Sequence, residues 1–321
     1  MIWIFSFFFF FFFRVKDFFF LSYFFYIDSL SLFLVSICPL VVYLIYSFSF
    51  FFVNFYNSLI YIYIFFLIIF FCLVSFFSHN SYEFLLFLEL CIMPLSFLIL
   101  YLSKDSDKIS SLIFILFINL LGSIPFIIFS SFLPTSIYLF SYNLFFSFDY
   151  FLLFCFLFVL ICKLPLFFLH FWLTKAHVSA SGSCSMLLAR LILKLGSFGI
   201  YKFSPIFIIS SHSLINYFVC FSLIGSVFFS LLIIRFFDVK HIVACSSILH
   251  MSIIVPFLLF FGSEGIFSRM YIIVGHGLVS YYFFFLISLL YEFSHNRRID
   301  FNKSLESLSK TIAMIFFFYL F

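Results

Sequence analysis

Uninterrupted apolar runs of about eighteen or more residues recur along this chain, and they constrain the fold before any motif does. A helical run of that length, rising 1.5 Å per residue, matches the hydrocarbon thickness of a bilayer. With no water there to satisfy peptide groups, such runs close their own hydrogen bonds as helices. The chain therefore reads as an all-α, polytopic transmembrane helical bundle of about ten to eleven spans. The spans fall at 2–26, 29–50, 58–77, 83–102, 110–133, 148–171, 183–203, 206–235, 239–261 and 266–292. A final piece, 311–321, is too short to cross alone. Mean hydropathy is +1.33, and little of the 321 residues is left for a soluble domain.

Charge is the informative quantity in such a frame. Charged residues make up 9% of the chain, yet residues 159–203 hold Lys163, Lys175, Arg190, Lys194 and Lys202 with His170 and His177. A lysine at the bilayer centre costs about 2.5–3.5 kcal/mol, so these groups imply a partner charge or a water-filled path. The net charge of +4 is scattered with no basic run, which excludes a nucleic-acid role. The eight Cys are dispersed without CxxC spacing and read as buried apolar thiols, with no metal or disulfide framework indicated. Lys and Arg lie on both sides of alternating spans, so charge bias sets no orientation. The N-terminus lacks signal-peptide features and reads as the first span, interrupted at residues 14–17. Sixty-six Phe against nine Gly suggests drift toward T-rich codons, as in an organellar genome.

Glu89 lies deep in the fourth span, and Pro94 beyond it frees backbone carbonyls. Glu83 reads as a boundary residue, and residues 119–125 (NLLGSIP) as a close-packing segment. Lys163 and His170, seven residues apart, share a face if the helix continues through Pro165. Residues 177–185, HVSASGSCS, form a break that opens an irregular region near 177–203. Lys194 stands mid-span with Gly196 and Gly199 behind it, too deep to snorkel, whereas Lys175 can. In the ninth span Lys240 and Ser247 share a face, with His250 turned roughly 80° away. His276 sits mid-span between Gly275 and Gly277. A lone buried His is usually a satisfied hydrogen-bonding residue; His and Lys recurring across successive helices point to a proton relay.

The residues from Lys163 to Val178, KLPLFFLHFWLTKAHV, resemble a K-x-P-L-x-x-L-H-x-W-L-P-K-A-H-V segment of NADH dehydrogenase subunit 4. That family comprises antiporter-like, proton-pumping membrane subunits of respiratory complex I. The likeness continues through Gly182-Ser183, Met186, Leu193-Lys194-Leu195-Gly196 and Gly199-Ile200. It extends to Asp238-Val239-Lys240, Ser246-Ser247, His250-Met251, His276-Gly277-Leu278 and Tyr291-Glu292 with His295. Upstream, Glu89-Leu90, Met93-Pro94, Gly122-Ser123 with Pro125, and Asp28-Ser29-Leu30-Ser31 also fit. Two departures stand out: Thr174 replaces a family proline before Lys175, and Ser181 replaces one at the break.

The resemblance implies N-terminal helices over 1–77, a first antiporter-like repeat over 78–235 and a partial second repeat over 236–321. It assigns Glu89 as the partner of Lys194, Lys240 as the next relay, and His250 and His276 as carriers between them. Lys163, His170 and His177 complete the candidate set. About fourteen spans are implied, so the chain is either truncated or completed by a separate chain supplying the C-terminal helices. NADH, FMN, iron–sulfur clusters and ubiquinone are expected in other subunits, making this a non-redox subunit of an H+-translocating NADH:ubiquinone reductase. Expected partners are other membrane-arm subunits, including adjacent antiporter-like ones, and lipid; the expected location is the mitochondrial inner membrane. A stand-alone cation/proton antiporter and a structural subunit without a proton path are the alternatives.

Overall fold

Helix accounts for almost all of the backbone seen, as peptide groups in hydrocarbon require. The computed structural model describes residues 55–78, 81–103, 106–132, 150–210, 212–260, 266–294 and 296–298, with isolated positions 31, 34 and 35. Its helices are α1 (Phe55–Phe77), α2 (Ser81–Leu102), α3 (Lys108–Phe132), α4 (Tyr150–Lys163) and α5 (Phe171–Ser179). Then come α6 (Gly182–Leu187), a π-helical turn (Leu188–Ile192) and α7 (Leu193–Ser210). The last three are α8 (His212–Ile233), α9 (Val239–Phe260) and α10 (Ile266–Ser294). Seven segments among the described residues are long and apolar enough to cross a membrane. The expected spans 2–26 and 29–50 and the stub 311–321 lie outside the described residues, apart from those isolated positions.

The rod formed by α6, the π turn and α7 is the centre of the bundle. Residues 183–200 are all buried. Helices α4 and α9 pack on α7, and α10 packs on α6 and on the π turn. Around these, α8 lies on α9, α3 on α4 and α5, and α1 on α2. The outer helices present apolar side chains outward, including Tyr63 and Phe66 on α1 and Tyr217 and Val227 on α8. Serine hydroxyls within the helices return to their own backbone, as Ser75 to the Cys72 carbonyl (2.7 Å) and Ser247 to that of Ala244 (2.7 Å). Six of the seven described cysteines are buried, as their apolar settings suggested.

Three boundaries differ from the sequence expectation. The span expected at 148–171 does not continue through Pro165: α4 stops at Lys163, and a turn leads to α5. Lys163 and His170 therefore share no helix face. In that turn Phe168 is left-handed (φ 66°), a strain of about 1–2 kcal/mol for a non-glycine residue. Neighbouring Phe167 anchors the turn, its ring packing edge-on against Phe228 and Phe229. Second, no break falls at Ser204–Pro205; α7 runs through to Ser210. Third, within the irregular region expected near 177–203, the central rod widens into a π turn beyond the break.

The break itself lies where the serine- and glycine-rich stretch placed it. Ala180 (φ −67°, ψ 150°) and Ser181 (φ −61°, ψ 162°) are extended between α5 and α6. Ser181 thus holds the φ that a proline ring would impose, so the break persists without one. Gly182 then lets α6 approach α10 closely: a Cβ there would meet the Ser288 Cβ at 2.5 Å. We expect Gly182→Ala to destabilise the bundle by about 1–3 kcal/mol through overpacking. Gly275→Ala, whose Cβ would meet nothing within 4 Å, should instead raise stability by up to about 1 kcal/mol through its helix propensity. Thermal unfolding of both variants in the same detergent makes the comparison; equal losses would contradict the packing described.

Candidate functional site

The helix ends and irregular turns converge on buried amines. Lys163 is the last residue of α4, where outward-facing carbonyls favour a cation. Its Nζ lies 2.5 Å from Glu89 Oε1 on α2 and donates to Asn119 Oδ1 on α3 at 3.0 Å. The lysine side chain is 2% exposed and the glutamate 33%, so the carboxylate is the side of the pair that reaches outward. Pro94, five residues on, cannot donate to the Leu90 carbonyl and leaves the backbone beside Glu89 less satisfied.

A second pairing is built on the central rod. Lys194, fully enclosed just beyond the π turn, places Nζ 2.7 Å from His276 Nδ1 on α10. The same amine donates to the Ala189 carbonyl at 3.2 Å, inside the widened turn. Gly277 makes room for the lysine stem, since a Cβ there would come within 2.9 Å of Lys194 Cε. With the amine protonated, Nδ1 accepts and the neutral ring carries its hydrogen on Nε2, a buried atom with no hydrogen-bond partner among the described residues. The His250 ring, on the exposed side of α9, lies 5.6 Å from that of His276, centre to centre.

Other expected site residues take different surroundings. Lys240 Nζ, buried, donates to the Val178 carbonyl (3.2 Å) and to that of Ala180 at the helix break. His177 is completely buried and stacks on Phe284 at 4.3 Å; neither ring nitrogen has a hydrogen-bond partner among the described residues. His170 sits between Phe171 (4.1 Å) and Phe229 (4.5 Å) in an aromatic nest, away from the Lys163 pair. Lys175 is exposed and lies over the Phe114 ring at 3.8 Å, as expected of a snorkelling residue.

The expected partnership of Glu89 with Lys194 is corrected here: Glu89 holds Lys163, and Lys194 is held by His276 and Ala189. Helix packing rather than order along the chain decides which lysine meets the carboxylate, because α2, α3 and α4 form one side of the bundle. One site residue was not foreseen, and a second, Arg190, was noted only as one of the buried charges. Asn119 was read as packing, and it does neighbour Gly122, which packs on Cys162, but its side chain also binds Lys163. Arg190, within the π turn and one turn before Lys194, stacks 5.0 Å over Tyr281. A polar side chain at hydrocarbon depth was the available signal for both.

Comparison with known proteins finds similarity over most of this chain. A family model described as NADH:quinone oxidoreductase/Mrp antiporter, TM, matches residues 78–321. The NADH-ubiquinone oxidoreductase chain 4 of Locusta migratoria is 32% identical over 247 residues, covering 76% of this chain and 55% of its own length. That of Caenorhabditis elegans is 33% identical over 236 residues, covering 72% and 55%. The chain thus spans about half the length of the curated relatives it matches. A chain in respiratory complex I from Thermus thermophilus with bound NADH superposes with a TM-score of 0.78 at 18% identity, over 92% of this chain and 64% of that one. A chain in the Mrp complex from Dietzia sp. DQ12-45-1b gives 0.71 at 16% identity, over 85% and 53%. These two show a shared fold.

Removing the carboxylate should leave a buried lysine without its acid. Glu89→Leu is expected to cost about 3 kcal/mol, the low end for breaking a buried pair because a third of Glu89 is open. The double variant Glu89→Leu/Lys163→Met should recover most of that loss. Unfolding in detergent, run as a double-mutant cycle, checks this; additive losses would show that the two side chains are not coupled.

Proposed function

The chain belongs to the NADH:quinone oxidoreductase/Mrp antiporter transmembrane family, and on that premise we propose that it is a proton-translocating membrane-arm subunit of an NADH:ubiquinone oxidoreductase. One observation carries the reading: two buried amines, Lys163 and Lys194, each contact a group that can exchange a proton, inside an otherwise apolar bundle. The curated relatives named NADH-ubiquinone oxidoreductase chain 4 support the assignment to such a complex. The animal source of those relatives supports a location in the mitochondrial inner membrane. The redox groups (NADH, FMN, iron–sulfur clusters and ubiquinone) belong to other subunits, and this chain contributes proton movement. Lys163 falls in a first repeat over 78–235, and the Lys194 relay crosses from it to His276 in the helices that follow residue 236.

The chemistry follows from the contacts. An ammonium facing a carboxylate at about 4 Å gains roughly 4 kcal/mol at an effective dielectric of 20. Moving Glu89 away from Lys163 removes that attraction, so separation of the pair and loss of the amine's proton go together. Lys194 passes its proton to His276 Nδ1, leaving a neutral amine and an imidazolium. The ring releases the other proton from Nε2 toward His250, whose ring lies 5.6 Å away centre to centre. A histidine that accepts on one nitrogen and donates from the other relays the proton through its ring and is left as the Nδ1–H tautomer. Conformational or electrostatic change in the rest of the complex is the drive.

A cation/proton antiporter acting without redox partners is the second reading, favoured by the Mrp half of the family description. Purification in mild detergent separates the two: a complex subunit co-migrates with a large redox assembly, an independent antiporter does not. Lys194→Met should lower coupled proton uptake through this subunit by roughly tenfold or more, the scale of a lost general acid–base group. Assembly and electron transfer to an artificial acceptor should persist. Wild-type proton stoichiometry in Lys194→Met would contradict the proposed route.

A further inference from the structure

The sequence resemblance made Lys240 the next proton carrier after Lys194, but its contacts are of another kind. Its amine donates to two main-chain carbonyls, those of Val178 and Ala180, and these flank the end of α5 where the backbone becomes extended. Carbonyls at a helix end have lost their intrahelical partners and carry partial negative charge. A second cation reaches the same place: Arg297 Nη1 donates to the Val178 carbonyl at 3.3 Å. Arg297 is itself tied to the start of α9, its carbonyl accepting from the Val239 amide at 3.1 Å, beside an isolated bridge between Asp238 and Arg298. The start of α9 and the segment after α10 therefore meet at one break in the chain.

We infer that Lys240 is a positioning residue: together with Arg297 it clamps the carbonyl end of α5 and fixes the break between α5 and α6. Its charge does the work and its proton stays. Unsatisfied carbonyls enclosed by protein are costly, and one ammonium donor satisfies two of them at once. The clamp sits at the junction from which two site elements diverge. On one side is His177, in the last turn of α5; on the other, α6 leads into the π turn and Lys194. Holding this junction sets where His177 and Lys194 stand relative to α10.

The inference rests on the proton-translocation reading for one of its two readouts, and the other is independent of it. Lys240→Arg keeps the charge and the donors but cannot release a proton at working pH, whereas Lys240→Met keeps the bulk and loses both. Amide hydrogen exchange over residues 180–185 is measured in the full chain in its native assembly. Exchange there should be about tenfold faster in Lys240→Met, on the scale of losing charge-assisted hydrogen bonds, and close to wild type in Lys240→Arg. Coupled proton uptake should be largely retained in Lys240→Arg and lowered in Lys240→Met. Unchanged exchange in Lys240→Met would overturn the clamp. So would wild-type exchange in Lys240→Arg with proton uptake lost, because that outcome makes Lys240 a carrier. A wild-type chain that moves no protons would sink the functional reading, while the exchange comparison would still decide the clamp.

Discussion

A lysine amine placed in hydrocarbon must find acceptors inside the protein, because no solvent can supply them. In this bundle the buried amines are met by three kinds of device. Lys163 has the Glu89 carboxylate and the Asn119 amide; Lys194 has the His276 imidazole and the Ala189 carbonyl; Lys240 has the Val178 and Ala180 carbonyls. Lys202 is held in the same way by the carbonyl of Ser78. Most of these acceptors come from places where regular helix stops or widens. The irregular backbone and the buried charge therefore stabilise one another, and neither would survive at lipid-facing positions.

The layout explains why the central rod is sheathed so completely. A π turn and an extended break expose main-chain groups that lipid cannot satisfy, so α2, α9 and α10 enclose them. Small residues permit that enclosure: Gly182 meets Ser288, and Gly277 meets the stem of Lys194. Close approach at Gly277 also sets the lysine amine against the His276 ring, so packing and proton chemistry are fixed by the same contact. The acceptors divide by what they can do. Carboxylate and imidazole can exchange protons and so make Lys163 and Lys194 responsive; amide and carbonyl groups can only hold.

Much of this was legible from hydropathy and composition. Helices α1, α2, α3, α9 and α10 lie close to the expected spans, because a long apolar run flanked by polar residues leaves little freedom. The break at Ala180–Ser181 followed from the serine and glycine content, and Ser181 adopts the backbone of the proline it replaces. Pro165 and Pro205 misled in opposite directions. The first sits in a true helix end, the second within a continuous helix, and proline's local cost does not say which tertiary packing will absorb. Pairing was the least legible feature. Whether Glu89 meets Lys163 or Lys194 depends on how α2 is placed against α4 and α7, which no local pattern encodes. Asn119 was hidden for the same reason: its partner comes from α4, 44 residues away.

The most direct test of the account is an experimental density map of the protein in a lipid disc, resolved well enough to place lysine side chains. The account predicts Lys163 Nζ within hydrogen-bond reach of both Glu89 and Asn119, and Lys194 Nζ against His276 Nδ1. Either amine turned outward to the lipid headgroups, with Glu89 or His276 facing apolar side chains alone, would contradict it.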